Sequence, residues 1–154
     1  MKLMIASDLH GSAYYTRLLL EAMDREQPDR LLLLGDLLYH GPRNDLPREY
    51  APKQVIEMLN ARKSQILCVR GNCEAEVDQM VLEFPVLSEF GVVFADGLTL
   101  YMLHGHKNLD IPVMPGDILL CGHTHVPAVR KDGEHYDVNP GSVSIPKEGS
   151  CHGY

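Results

Sequence analysis

Five short apolar runs, each ending in a polar cluster that holds or adjoins a glycine, constrain this chain more than any other feature. The runs are Lys2–Ala6, Leu31–Leu34, Ile66–Val69, Leu100–Leu103 and Ile118–Cys121. Each is too short for a helix and reads as a strand covered on both faces. Behind them stand Ser7-Asp8-Leu9-His10-Gly11, Gly35-Asp36, Arg70-Gly71-Asn72-Cys73-Glu74, His104-Gly105-His106 and Gly122-His123-Thr124-His125. Helical periodicity fills the gaps between the first three runs. Tyr15, Leu18, Leu19, Ala22 and Met23 form an apolar stripe within Ser12–Glu26. Val55, Ile56, Met58 and Leu59 form a second stripe after Pro52, a first-turn proline, and Val77, Met80, Val81 and Phe84 a third, closed by Pro85. Strand, helix, strand, helix, strand predicts parallel pairing with crossovers, an α/β beginning. The second half reads differently. Val92–Ala95 and Leu98–Leu103 flank Asp96-Gly97, and Val129–Lys131 and Glu134–Val138 flank Asp132-Gly133, so two hairpins are expected. A second sheet packed on the first, rather than further crossovers, is the expectation there.

The 154 residues suffice for one domain, 1–154, with a core that needs no disulfide or metal staple. At 45% apolar and 23% charged residues, disorder is excluded. Acidic residues outnumber basic ones, 21 to 14, for a formal charge of −7. A surface for duplex nucleic acid needs basic patches, so that partner is not expected. A small anionic ligand requires something locally positive. No run is long enough for a membrane span, and Asp8 and His10 interrupt the first apolar stretch before it reaches the length of a signal peptide. Cys68, Cys73, Cys121 and Cys151 form no C-x-x-C pair, and Cys68 and Cys121 sit in apolar runs as expected core thiols. A cytoplasmic location is expected.

Ligand sites of open α/β sheets assemble at the carboxyl ends of the strands. Asp8, His10, Asp36, Asn72, His104, His123 and His125 would bring two carboxylates, an amide oxygen and four imidazoles to such a rim. Taken singly, each fragment is an ordinary turn, cap or solvated loop. Together they exceed the four ligands of one zinc site and suit two divalent ions about 3.5–4 Å apart. Mixed nitrogen and oxygen donors favour Mn, Fe, Zn, Co or Ni over Ca or Mg.

These blocks, in this order, resemble the signature of the calcineurin-like metallophosphoesterase superfamily: D-x-H, G-D, G-N-[HC]-[DE], H-G-H and G-H-T-H. The insert Tyr39–Pro47, Cys73 and Asn139–Ser144 are similar to the small bacterial phosphodiesterases within it. The resemblance implies a four-layer αββα sandwich, two mixed β-sheets flanked by helices, and metal-dependent hydrolysis of small phosphodiesters. It implies Asp8, His10, Asp36 and His125 on one ion, and Asp36, Asn72, His104 and His123 on the other. Asp36 would bridge, with a shared hydroxide as nucleophile and Mn²⁺ foremost among the metals, ahead of Zn²⁺, Fe²⁺, Ni²⁺ or Co²⁺. Many relatives have His where Cys73 stands, and a thiol is the weaker acid. The proton donor would then be His106 or His40, beside Asp36 and Asn72 in the catalytic set. His40, Arg43, Asn44 and Cys73 are the expected substrate-side residues. Ser142 reads first as part of a turn, and Arg70 as a partner for a carboxylate. Relatives usually run on into further strands after Pro146, so an exposed edge of the second sheet and a homodimer through it are further expectations. Phosphomonoesterase, phosphoprotein phosphatase and non-catalytic scaffold are the competing readings.

Overall fold

A computed structural model describes residues 1–154. Strands β1 (Leu3–Ala6), β2 (Arg30–Leu33) and β3 (Ile66–Cys68) form a sheet in that order, parallel throughout. Helix α1 (Ala13–Glu26) makes the first crossover and α2 (Pro52–Asn60) belongs to the second. Ser12 caps α1 by accepting the Tyr15 N–H at 3.2 Å. Pro52 opens α2, where its missing N–H costs no helical bond.

The alternation of β2 is the hinge of the architecture. Leu31 and Leu33 pack with Leu19, Met23, Val55 and Leu59 of α1 and α2. Leu32 turns the other way, and with Leu34 and Val69 it meets Ala95, Leu100, Met102 and Leu120 of a second sheet. All of these leucines are buried, each contributing roughly 1.5–3 kcal/mol of apolar burial. The β3 strand is an edge, and its Leu67 is exposed rather than covered on both faces.

The second sheet contains β4 (Phe90–Ala95), β5 (Leu98–Leu103), β6 (Ile118–Leu120), β7 (Ala128–Asp132) and β8 (His135–Asn139), in the order β4-β5-β6-β8-β7. Both expected hairpins are present. Asp96 and Gly97 carry φ of 51° and 84°, the left-handed pair of a type I′ turn. Asp132 pairs with His135, so the second loop is Gly133-Glu134, one residue later than the sequence pattern implies. The pairs β5–β6 and β6–β8 are parallel, which corrects the expectation that crossovers end with the first half. They escaped the sequence reading because residues 104–117 join β5 to β6 without a helix, and the return from β6 to β8 runs through β7.

Helix α3 (Glu76–Val81) is only six residues long, and the expected third stripe is not a core face. Val77, Met80 and Val81 are exposed, whereas Leu82, Phe84 and Val86 beyond the helix are buried. The Gln79 amide fixes this turn. It donates to the Leu82 and Phe84 carbonyls at 3.1 and 3.0 Å and accepts the Val86 N–H at 3.0 Å. The result is a mixed α/β fold of two facing sheets flanked by helices, all three helices preceding β4. Cys68 and Cys121, expected as core thiols, are only partly buried because they lie at strand ends. No helix is long and apolar enough to cross a membrane.

Candidate metal centre

The register of the first sheet sets Ala6, Leu33 and Cys68 level, so the loops behind them leave from one rim. The first two loops continue side by side: Asp8, His10 and Gly11 donate their N–H groups to the Gly35, Asp36 and Leu37 carbonyls at 3.1, 2.9 and 2.8 Å. The backbone bends sharply as it does so. Nine non-glycine residues have positive φ, and five of them are Asp8, His10, Asp36, His123 and His125, between 47° and 66°. Left-handed conformations cost of order 1 kcal/mol each at such residues and persist only where the surroundings hold them. Here they turn the side chains inward.

Seven side chains meet as a result. His10 Nε2 is 3.2 Å from His125 Nε2, and Asp8 Oδ1 lies 3.5 and 3.2 Å from these two atoms. On the other side His104 Nε2 is 3.4 Å from Asp36 Oδ2, 3.1 Å from Asn72 Oδ1 and 3.3 Å from His123 Nδ1. Asp36 Oδ2 is also 3.7 Å from His10 Nε2, so this carboxylate faces both groups.

The donor chemistry fits divalent cations. His10, His104 and His125 direct Nδ1 at the carbonyls of Tyr39, Leu34 and Ile145, at 2.8, 2.7 and 2.6 Å. A carbonyl only accepts, so each Nδ1 carries the proton and, in the neutral ring, Nε2 is left as a bare lone pair facing the centre. Asp8 Oδ1 is buried there without a hydrogen-bond partner, while Oδ2 accepts the His123 N–H at 3.0 Å. Bare nitrogens facing one another beside an orphaned carboxylate oxygen are an arrangement that a cation relieves.

In the ion-free chain the same groups pair among themselves. Burial works against a charged His104, but the hydrogen bond and charge of Asp36, with the charge of Asp8, push its pKa up to about 9. Burial raises Asp8, yet the adjacent His10 and His125 rings and the charge of His104 hold it well below the usual carboxylate range. His123 and His106 are both lowered, chiefly by burial and then by His104.

Glu74 completes the frame, a part that sequence reasoning did not assign although it stands in the Gly71–Glu74 block. It is buried and accepts the N–H groups of Asp36, Leu37 and Gly71 at 2.9, 2.7 and 2.6 Å, tying the second rim loop to the third. Burial and the charge of Asp36 push its pKa up to about 7, against the pull of those three donors. Gly71 must remain glycine: a Cβ there would lie 2.2 Å from Asp36 Oδ1. Ser142 lies in the expected turn and also reaches the site, donating to the Asp8 carbonyl at 2.8 Å alongside Ser144 at 3.0 Å.

A cavity of about 570 Å³ opens over His10, Asp36, Asn72, His123 and His125, and Arg43, Asn44 and Cys73 line it as well. Burial, then the charge of Asp36, pushes the Cys73 thiol far up, so it stays neutral. Asn44 spends its amide N–H on the His40 carbonyl at 2.8 Å and braces its own loop. His40 does not line the cavity. It packs edge-on against Tyr39 and Tyr50, whose rings hold it in the loop wall. The His106 ring is centred 5.4 Å from His104 and 6.2 Å from His123, at the margin of the centre. The Arg70 guanidinium donates to the Glu74 carbonyl at 3.1 and 3.3 Å, with Glu76 and Glu89 only at 3.9 and 4.0 Å.

The sequence profile of the calcineurin-like phosphoesterase superfamily domain matches residues 1–154. The chain belongs to this superfamily. Within it, the chain is 46% identical over 158 residues to Phosphodiesterase YfcE of Escherichia coli strain K12, spanning all of this chain and 85% of that protein. The solved structure of the E. coli YfcE phosphoesterase superimposes with a TM-score of 0.93, over 97% of this chain and 84% of that one. Wild-type Vps29 of Entamoeba histolytica, solved with Zn²⁺, shares the calcineurin-like fold at 18% identity and a TM-score of 0.58, over 96% of this chain and 78% of that one.

Proposed function

We propose that this chain hydrolyses small phosphodiesters with two divalent ions held by the seven converging side chains. The observation that carries the reading is the set of bare Nε2 atoms around an orphaned Asp8 oxygen, with Asp36 facing both groups. The 46% identity to a protein named a phosphodiesterase supports it. Asp8, His10, Asp36 and His125 would hold one ion, and Asp36, Asn72, His104 and His123 the other. Bound there, such ions polarise phosphoryl oxygens and bring the pKa of a water down toward 7, which supplies the nucleophile. Mn²⁺ is the first choice among metals that accept imidazole and carboxylate together.

The chain's own residues do the rest. Asp36 couples the two groups, and its orientation is set by the Cys73 N–H on Oδ1 at 2.8 Å and by Glu74 on its backbone. Asn72 presents an amide oxygen on an exposed side chain that lines the cavity, within reach of an arriving phosphoryl oxygen. His106, at the margin, is the proposed proton donor to the leaving oxygen. Cys73, neutral and a poor acid, does not replace it, so a diester with a good leaving group is favoured over a monoester.

Mn²⁺-loaded protein is expected to hydrolyse bis(p-nitrophenyl) phosphate, and a chelator to abolish the activity. Asp36→Asn should lower turnover at least 100-fold because one substitution disturbs both ions. Protein that binds two ions per chain, measured by elemental analysis, yet turns over no phosphodiester would falsify the proposal.

A further inference from the structure

We infer that Arg43 and Lys147 form a second anion subsite beside the metal centre, and that the substrate is a phosphodiester carrying a further phosphoryl group. The inference rests on the phosphodiesterase reading above and adds the class of substrate.

Both residues line the cavity over His10, Asp36 and His123, though they come from segments about a hundred residues apart. Most basic side chains of this acidic protein are already engaged. Lys2, Arg17, Arg25, Arg62, Lys63, Arg70 and Lys107 lie within ion-pair distance of carboxylates, Arg30 donates to a carbonyl, and Arg48 lies over the Tyr14 ring. Arg43 and Lys147 make no ion pair and donate no side-chain hydrogen bond. Lys53, Arg130 and Lys131 are also unpaired, but none of them lines this cavity.

Their backbones are nonetheless held. The Lys147 N–H donates to the His125 carbonyl at 3.1 Å, and its own carbonyl accepts the Ser150 N–H at 3.0 Å and hydroxyl at 2.6 Å. His125 is the same residue whose Nδ1 rests on Ile145, so this segment positions a ligand imidazole and a free ammonium together. Arg43 sits inside a turn closed by the Asn44 N–H on the Gly41 carbonyl at 3.3 Å and by the Asn44 amide on His40. Two unpaired cations on anchored loops at one cavity suit a shared anion.

Charge decides what that anion is. Asp8 and Asp36 supply −2, two divalent ions +4 and a hydroxide −1, so the centre carries +1. That matches the single negative charge of a diester and leaves Arg43 and Lys147 in surplus by +2. A terminal phosphate carries about −1.5 to −2 near pH 7 and meets that surplus. About 570 Å³ is room for a nucleotide-sized ligand. No Phe, Tyr or Trp lines the cavity, so recognition falls on the phosphates rather than on a stacked base.

The test is calorimetric binding of thymidine 5′-phosphate and thymidine 3′,5′-bisphosphate to the Mn²⁺-loaded protein. The bisphosphate is expected to bind at least 10-fold tighter, the scale of one charge-assisted hydrogen bond. Lys147→Ala should close that gap and Lys147→Arg should keep it. Replacing thymine by adenine should leave the gap within about twofold. Equal affinities in the unmutated protein, no binding of either nucleotide, a gap that survives in Lys147→Ala, or one that depends on the base overturns the subsite. Hydrolysis of bis(p-nitrophenyl) phosphate by the same preparation is scored separately. Its absence defeats the phosphodiesterase reading, whichever way the affinity gap falls.

Discussion

Glu74 touches no ligand cavity, yet three N–H groups from two rim loops converge on its carboxylate. Glutamine at this position offers one acceptor oxygen instead of two and brings an N–H₂ toward groups that only donate. Glu74→Gln should therefore cost about 1–3 kcal/mol in chemical denaturation, the penalty of a buried polar group left unpaired. It should also weaken metal binding about 10–100-fold, as losing a support behind a ligand does. His104 makes a different prediction. Its pKa is about 9 in the folded ion-free chain, against 6.5 when unfolded. The protonated ring's pairing with Asp36 thus stabilises fully below pH 6.5, and the contribution fades as pH rises to 9. Chelated protein should lose on the order of 2–3 kcal/mol across that window, seen as a falling melting temperature. Saturating Mn²⁺ should flatten the fall, because a ligand imidazole is already deprotonated.

At the scale of elements, α3 and the turn after it separate what periodicity can and cannot report. Met80→Ser, on the exposed face, should change stability by less than about 0.5 kcal/mol, whereas Phe84→Ala should cost about 3–5 kcal/mol by emptying a core site. A pair of urea melts decides between this and a buried stripe. The strands of the first sheet were readable because buried parallel strands are continuous apolar runs, and the two hairpins because Asp-Gly and the residues around it specify their turns. The parallel pairs of the second sheet were not readable, since residues 104–117 cross from β5 to β6 with no helical period and the crossover from β6 to β8 is made by strand β7. The rim was legible as a list of residue types, which is why the seven converging side chains could be named. Its geometry was not: left-handed backbone at Asp8, His10 and His123 leaves no trace in composition, nor does the packing of His40 against Tyr50.

For the molecule as a whole, the seven side chains divide between the two sheets. Asp8, His10, Asp36 and Asn72 follow strands of the first, and His104, His123 and His125 follow strands of the second. Removing the ions with EDTA should lower the melting temperature by several degrees, and dialysis into Mn²⁺ should restore it, since a ligand that binds only the folded state adds RT ln(1 + [L]/Kd). An unchanged melting temperature after chelation would mean that ions add nothing to the joint between the sheets, which apolar packing around Leu32, Leu34, Leu100 and Met102 and hydrogen bonds such as His104 to the Leu34 carbonyl then hold.

A centre loaded with ions would therefore work as a rivet through both layers as well as a place for chemistry. Two batches of identical sequence should differ in heat resistance according to the trace elements in the growth medium, and a thermometer would read their occupancy before any assay did.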